Sequence, residues 1–92
     1  MQEINTVLVV GAGVMGHGFA QVFALNGIDV FLVDQNHELL DRAQGWIREN
    51  LEFMVELELI KSPQIEAALN RIRFTSDLNG SAARADYVLE AI

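Results

Sequence analysis

Three glycines spaced as Gly-x-Gly-x-x-Gly lie near the start of the chain, at Gly11, Gly13 and Gly16. They follow a short apolar run ending at Val10, which is typical of a buried parallel strand. In a strand-to-helix turn of this kind, the first glycine permits the tight bend, the second lets a phosphate approach the backbone, and the third lets the helix pack closely. The N–H groups that open the helix attract the phosphates. The spacing therefore predicts a pyrophosphate-binding loop.

Asp34 is the second residue whose type and position suggest ligand contact, and it lies 18 residues after Gly16. A carboxylate at the end of the second strand accepts hydrogen bonds from both adenosine ribose hydroxyls and repels a 2′-phosphate. The nearest downstream arginine, Arg42, lies within a predicted helix, so no cation is placed to receive a 2′-phosphate. The glycine loop and Asp34 together predict binding of NAD rather than NADP. A simpler role for Asp34, capping the next turn, is compatible with this one.

The remaining side chains that could take part in chemistry do not form a second candidate site. No group near His17 would orient it as a general base, and His37 is expected at the surface. Two lone histidines without carboxylates at matching spacing do not predict a metal site, and the chain has no cysteine. Trp46 and Phe53 are interpreted as helix packing. Met15 is expected as a packing residue beside the cofactor, and a role as core filler at the top of the first helix is compatible with that.

The hydrophobic pattern alternates between strands and helices, which is typical of an α/β fold. Strands are predicted over 6–10, 29–33, 73–75 and 87–92. Helices are predicted over 14–26, 36–54 and 62–72, with a turn and a short helix over 77–85. Asn36 and Ser62 are the predicted N-caps of the second and third helices. The pattern predicts a Rossmann-type parallel sheet of about four strands, the front half of a doubly wound domain, with a long helical pair inserted between strands 2 and 3.

Composition narrows the class of protein. The 92 residues allow one domain, and 51% hydrophobic with 21% charged residues is typical of a soluble globular protein. The formal net charge of −7 disfavours nucleic acid as a partner, because phosphate backbones would be repelled. No apolar stretch approaches the roughly 20 residues of a membrane helix, and the apolar run at 7–10 is too short for a signal peptide. A cytoplasmic protein is therefore expected.

The ordered motifs resemble the N-terminal part of the L-3-hydroxyacyl-CoA dehydrogenases, a family that includes the 3-hydroxybutyryl-CoA dehydrogenases. The resemblance covers essentially the whole chain. The long helical pair adds to it, because a plain Rossmann unit has one shorter crossover there. The segments that carry the resemblance are VLVVGAGVMG at 7–16, AQVFA at 20–24, VDQ at 33–35, AALNRI at 67–72, TSDL at 75–78 and ADYVLEAI at 85–92.

The resemblance implies the N-terminal part of an NAD-binding domain over 1–92, in an enzyme that oxidises an L-3-hydroxyacyl-CoA to the 3-ketoacyl-CoA by hydride transfer to NAD. It implies that the glycine loop holds the pyrophosphate, that Asp34 holds the adenosine ribose, and that the end of strand 4 lines the cofactor pocket. The cofactor-binding residues expected on this basis are Gly11, Ala12, Gly13, Val14, Met15, Gly16, Asp34, Gln35, Val88, Leu89, Glu90 and Ala91.

The sequence departs from the family pattern in two respects. Some members contact CoA through a serine and a lysine on the long helix, and the matching positions here are Asn50 and Leu57. The family's general base, a histidine in a His-Phe-Phe-Asn-Pro-like segment, and the all-helical C-terminal domain are absent from these residues. No catalytic residue is therefore predicted in this chain, and on its own it is expected to be inactive.

Two other functions stay open at this point. One is a free-standing nucleotide-binding or interaction module without catalysis. The other is a dehydrogenase of the 3-hydroxyisobutyrate or 6-phosphogluconate type, although the long helical pair would not be expected there. The apolar fourth strand, 87–92, is also predicted to recruit a second strand, so a homo-oligomer is expected. Fatty-acid β-oxidation, butanoate metabolism and aromatic degradation are all compatible pathways.

Overall fold

A computed structural model of the chain describes residues 3–92, which form four strands and four helices. The strands are β1 (Thr6–Val10), β2 (Asp29–Val33), β3 (Ile72–Thr75) and β4 (Tyr87–Glu90). The helices are α1 (Val14–Leu25), α2 (His37–Glu56), α3 (Pro63–Asn70) and α4 (Leu78–Arg84). The predicted α/β fold, with a helical pair between the second and third strands, is confirmed.

The four strands form one parallel sheet in the order β3-β2-β1-β4. This is the order predicted for the first strands of a doubly wound sheet. Val10 at the end of β1 is in register with Val33 of β2 and with Glu90 of β4. The carboxyl ends of these three strands therefore meet at one edge of the sheet, where α1 begins and where such folds bind their ligands.

The two faces of the sheet are covered unequally. Side chains alternate between faces along a strand, so Val7 and Val9 point to one side while Leu8 points to the other. The first side packs against α1, α2 and α3 and forms the larger core, which includes Ala43, Ile47 and Leu51 from α2. Buried residues of the second side, where α4 lies, are Leu8, Phe31 and Val33.

The helical pair is held by a cap and by contacts between helices. The Asn36 side chain accepts a hydrogen bond from the Leu39 N–H at 3.1 Å, which confirms the predicted N-cap of α2. Arg48 of α2 donates to Glu66 of α3 at 2.9 Å on the exposed side of the pair. This hydrogen bond and the charge of Glu66 raise the pKa of the Arg48 guanidinium.

The prediction that Ser62 caps α3 is wrong. Its backbone already has helical angles, φ −49° and ψ −43°, and its hydroxyl makes no capping hydrogen bond. The Gln64 side chain instead accepts a hydrogen bond from the Lys61 N–H at 2.7 Å, while the Gln64 N–H donates to the Lys61 carbonyl at 2.9 Å. The bond from Lys61 is the half of a capping box in which the N3 side chain accepts from the N-cap N–H, placed one residue earlier than predicted, while a backbone carbonyl takes the part of the capping side chain.

Several predicted boundaries also differ from the structure. Helix α1 ends at Leu25, because Asn26 leaves helical geometry and Gly27 follows with φ +81°. Ile72 opens β3 rather than closing α3, and its side chain is buried against the larger core. Strand β4 ends at Glu90, two residues before the predicted end. Phe53 is exposed rather than packed, because it lies on the outer side of α2.

Candidate functional site

The glycine loop runs from the end of β1 into α1, and Gly11 makes its first bend. Gly11 has φ +105°, in the left-handed region that side chains disfavour, and its N–H donates to the Val33 carbonyl at 2.8 Å. A Cβ at this position would lie 3.0 Å from the Ala91 carbonyl oxygen. Glycine is therefore required both by the backbone angle and by the close approach of the chain that follows β4.

The other two glycines differ in what surrounds them. A Cβ at Gly16 would overlap the Gly11 carbonyl oxygen, so the first turn of α1 lies directly against the loop. A Cβ at Gly13 would meet no atom within 4 Å. The fold thus requires glycine at 11 and 16, whereas Gly13 leaves open space at the surface of the loop, as expected where a phosphate approaches the backbone.

The N-terminus of α1 presents unpaired donors beside that open space. The first hydrogen bond within the helix runs from the His17 N–H to the Gly13 carbonyl at 3.0 Å. The N–H groups of Val14, Met15 and Gly16 precede it and have no partner within the helix. The first turn, all of it described, carries no acidic residue, and the helix dipole adds partial positive charge. This end of α1 is suited to an anion.

Val14 and Met15 reach solvent at this end of the helix. Their side chains are 79% and 64% exposed, respectively. The interpretation of Met15 as core filler at the top of α1 is therefore wrong, because α1 is buried against the sheet through Gly16 and Ala20 instead. The alternative placement of Met15, beside the cofactor, stays a prediction.

The Asp34 carboxylate is fixed by two backbone donors. Its Oδ2 accepts from the Ala12 N–H at 3.0 Å, and its Oδ1 accepts from the Asn36 N–H at 2.9 Å. Asp34 thus does cap the turn into α2, the simpler of its two predicted roles. Each carboxylate oxygen has a second lone pair, so the carboxylate can still accept hydrogen bonds from two further donors, such as ribose hydroxyls.

A cleft of about 280 Å³ lies between the glycine loop, the end of β2 and the start of α4. Gln35 lies at its edge, exposed, with its Nε2 3.4 Å from the Ser76 carbonyl oxygen to which it donates. The cleft is lined by Val10, Gly11, Val33, Asp34, Gln35, Leu78 and Ile92. A larger cavity of about 380 Å³ lies under α4 beside Arg73 and Arg84, and no residue of the glycine loop lines it. The smaller cleft is therefore the one that adjoins the predicted site.

The residues predicted at the end of strand 4 reach the loop to different degrees. The Ala91 N–H donates to the Val10 carbonyl at 2.8 Å, and Ala91 packs against the larger core beside Gly11. Glu90, exposed, is in register with Val10, at the point where the loop begins. Leu89 and Val88 are paired with residues further back along β1. The structure brings Ala91 and Glu90 to the loop, whereas Val88 lies beside Leu8, two residues before the end of β1.

One residue that contacts the loop was missed from the sequence. His17 is 9% exposed, its Nδ1 lies 2.7 Å from the Gly13 carbonyl oxygen, and its ring centroid lies 4.9 Å from that of Trp46. The available signal was its spacing, since a side chain four residues after the N-cap lies on the same side of the helix. The contact with Trp46 depends on how α1 and α2 pack, which no local pattern reveals.

Comparison with known proteins decides the family. Residues 6–92 match the model of the 3-hydroxyacyl-CoA dehydrogenase family's NAD-binding domain. The chain belongs to this family. The glycine loop, the free N–H groups of α1 and Asp34 fit the pyrophosphate and ribose of NAD, the cofactor of this 3-hydroxyacyl-CoA dehydrogenase domain.

Curated and solved relatives agree with the family. The chain is 47% identical over 85 residues to a probable 3-hydroxybutyryl-CoA dehydrogenase of Deinococcus radiodurans, covering 91% of this chain and 30% of that protein. It is 34% identical to the mitochondrial hydroxyacyl-coenzyme A dehydrogenase of Rattus norvegicus, covering 97% and 30%. The crystal structure of Escherichia coli 3-hydroxybutyryl-CoA dehydrogenase superposes with a TM-score of 0.89 at 36% identity, covering 97% and 19%. The chain thus spans about a third or less of these relatives.

Two features are absent from the described part of this 3-hydroxyacyl-CoA dehydrogenase domain. Residues 3–92 contain no group of three histidine or acidic side chains placed to hold a metal ion. None of their helices combines the length and the apolar character that crossing a membrane requires.

Proposed function

We propose that this NAD-binding domain serves an enzyme that oxidises L-3-hydroxyacyl-CoA to 3-ketoacyl-CoA. In this reaction the hydrogen on C3 leaves as hydride to NAD, and the hydroxyl proton passes to a base. The observation that carries the proposal is the match of residues 6–92 to the NAD-binding domain of the 3-hydroxyacyl-CoA dehydrogenases. The open space over Gly13, beside an Asp34 carboxylate held by the Ala12 N–H, supports the NAD site within it. 3-Hydroxybutyryl-CoA is the substrate we favour, because the Deinococcus radiodurans relative is named for it. A place in fatty-acid β-oxidation belongs to the same proposal.

The domain would hold NAD through backbone and carboxylate groups. The N–H groups of Val14, Met15 and Gly16 would donate to the pyrophosphate, since they have no partner within α1. Asp34 would accept from the adenosine ribose hydroxyls. The remaining cofactor contacts that we propose come from Gly11, Ala12, Gly13, Gln35, Val88, Leu89, Glu90 and Ala91. Ala91 and Glu90 are supported by their position at the loop.

We propose that the 92 residues alone bind NAD and do not turn over substrate. His17 is the histidine nearest the loop, and its ring is buried between the Gly13 carbonyl and Trp46, with 9% of the residue exposed. A substrate hydroxyl outside the loop therefore has little access to it. A nucleotide-binding module without catalysis is the second candidate function, and this engagement of His17 favours it.

Calorimetric titration of the chain with NAD, NADP and ADP-ribose tests the cofactor site. We expect NAD and ADP-ribose to bind and NADP to bind more weakly, because the Asp34 carboxylate repels a 2′-phosphate. Equal affinity for NADP would contradict the proposed role of Asp34. Incubation with 3-hydroxybutyryl-CoA and NAD should produce no NADH, and steady NADH formation would overturn the proposed inactivity.

The product of the native reading frame distinguishes the two candidate functions, the dehydrogenase and the binding module. If the open reading frame that encodes this chain continues into a segment like His-Phe-Phe-Asn-Pro, the longer product should oxidise 3-hydroxybutyryl-CoA. A native product that binds NAD but lacks this activity with any 3-hydroxyacyl-CoA would favour the binding module. Residues 6–92 match the 3-hydroxyacyl-CoA dehydrogenase family, so the match does not support a dehydrogenase of the 3-hydroxyisobutyrate or 6-phosphogluconate type.

Three further expectations belong to this proposal. Self-association through β4 is supported by its position at the edge of the sheet formed by the described residues, with Tyr87 and Val88 exposed. The departure from the family's CoA contacts at Asn50 and Leu57 argues against CoA binding there, because the Asn50 amide already donates to the Gln21 side chain at 3.0 Å and the exposed Leu57 has no polar group. A cytoplasmic location is tested by immunodetection after cell fractionation.

A further inference from the structure

His17 makes an unusual pair of contacts with the backbone of the glycine loop. Its N–H and its ring both bond the Gly13 carbonyl oxygen, at 3.0 Å and 2.7 Å. Because a carbonyl oxygen only accepts hydrogen bonds, the ring must carry its proton on Nδ1. Gly13 is the N-cap of α1 and has no side chain to cap the helix. The His17 ring therefore adds a second anchor to the residue at which the loop becomes helix.

Anchoring that carbonyl also determines where the next donor points. The Gly13–Val14 peptide is trans and planar, so its N–H points away from its carbonyl oxygen. With the carbonyl held toward His17 inside the protein, the Val14 N–H is directed out of the helix N-terminus. The exposed Val14 side chain and the open space over Gly13 are both found at this end of α1.

The ring itself is held by the second helix. Trp46 of α2 packs against it with centroids 4.9 Å apart and planes tilted by 41°, and Trp46 in turn lies against the larger core. The ring is thus fixed on one side by Trp46 and bonded to Gly13 through Nδ1. A side chain restrained in this way loses little freedom when the loop binds a ligand, which is the condition for a preorganised site.

We propose that His17 is a positioning residue of the cofactor loop, whose ring holds the Gly13 carbonyl so that the Val14 N–H is aimed at the pyrophosphate of NAD. This inference rests on the proposed placement of the pyrophosphate at the N-terminus of α1. It assigns the buried histidine a role in binding that is distinct from filling space between α1 and α2.

Two variants separate the hydrogen bond from the packing. His17→Phe keeps an aromatic ring against Trp46 but has no donor for the Gly13 carbonyl. His17→Asn places an amide nitrogen where Nδ1 lies, since both atoms are attached to Cγ, but has no ring for Trp46. A positioning role predicts that H17F weakens NAD binding about fivefold, the size of one net hydrogen bond, and that H17N recovers most of the affinity. A packing role predicts the reverse order.

The measurements are the NAD dissociation constant by calorimetry, the melting temperature, and the Val14 amide resonance of the ligand-free chain by NMR. We expect the Val14 resonance to move in H17F and to stay near its wild-type position in H17N. An H17F chain with wild-type NAD affinity and an unmoved Val14 resonance overturns the proposal. Should wild type fail to bind NAD while the Val14 resonance responds as stated, the cofactor placement fails and the orienting role of His17 stands.

Discussion

The Asp34 carboxylate accepts a hydrogen bond from the Ala12 N–H at 3.0 Å, so the acidic residue after β2 is bonded to the glycine loop after β1. Its other oxygen accepts from the Asn36 N–H at the start of α2. The residue expected to hold the adenosine ribose is therefore bonded directly to the loop expected to hold the adjacent pyrophosphate. Loop geometry and ribose recognition are consequently coupled in this domain.

Asp34→Asn tests that coupling. The amide replaces one accepting oxygen by a donor, which would face a backbone N–H, so we expect a loss of about 1–3 kcal/mol in the free energy of unfolding. NAD affinity should fall, and the preference for NAD over NADP should narrow because the negative charge is gone. Asp29→Asn removes the same charge at the opposite end of β2 and should leave the preference unchanged. An undiminished preference in D34N would contradict the assignment.

Gly16→Ala should destabilise the chain severely. The new methyl group would overlap the Gly11 carbonyl oxygen, and moving the loop or α1 apart would disturb their close contacts with Ala91, directly after β4. We expect a loss of about 3 kcal/mol or more, which lowers the melting temperature by roughly 10 °C or more in a domain of this size. Gly18→Ala, in the same helix with no atom within 4 Å of the new Cβ, should instead raise it slightly. Equal melting temperatures for the two variants would refute the close packing.

Gly13→Ala separates binding from folding. The position has ordinary extended angles, φ −72° and ψ −157°, and open space for a methyl group, so stability should stay within about 1 kcal/mol of wild type. The methyl group would occupy the space through which a pyrophosphate approaches, so the NAD dissociation constant should rise about tenfold, or 1.4 kcal/mol. Thermal denaturation and calorimetry give the two values. Unchanged NAD affinity would place the pyrophosphate elsewhere.

Tyr87→Lys tests self-association through β4. Tyr87 is exposed on the edge strand, and a lysine there opposes pairing with a second strand. We expect wild type to form dimers at high concentration in sedimentation velocity and Y87K to remain a monomer. Leu59→Lys adds the same charge at an exposed site between α2 and α3 and should leave the dimer intact. A wild-type chain that is monomeric at every concentration removes this part of the proposal.

The strands and the glycine loop could be predicted because their signals are local. The runs at 6–10 and 29–33 each follow one polar residue with four consecutive apolar ones, and both are interior strands, so their bounds agree with the structure. The turn at Gly11 likewise follows from residue type. Predictions failed where two local options compete. Ser62 precedes a proline and resembles an N-cap, but the Gln64 side chain accepts from the Lys61 N–H and caps the helix one residue earlier.

Parts of the candidate site depend on distant segments and could not be predicted. Asp34 was expected to bind ribose, but its bond to Ala12 depends on the register of β1 with β2. The position of His17 between Gly13 and Trp46 depends on how two helices pack, and an isolated histidine in an apolar helix gives no sign of it. The exposure of Met15 depends on which side of α1 packs against the sheet, so its residue type alone does not exclude a role as core filler.

The unequal covering of the sheet has a consequence for how the chain opens. The face of α1, α2 and α3 contains most of the buried apolar side chains, whereas the face of α4 rests on Leu8, Phe31 and Val33. Local unfolding requires least free energy where few apolar contacts are lost. Amide protons of α4 should therefore exchange with deuterium well before those of β1 and β2, so that the helix over the second face detaches while the glycine loop stays anchored on the first.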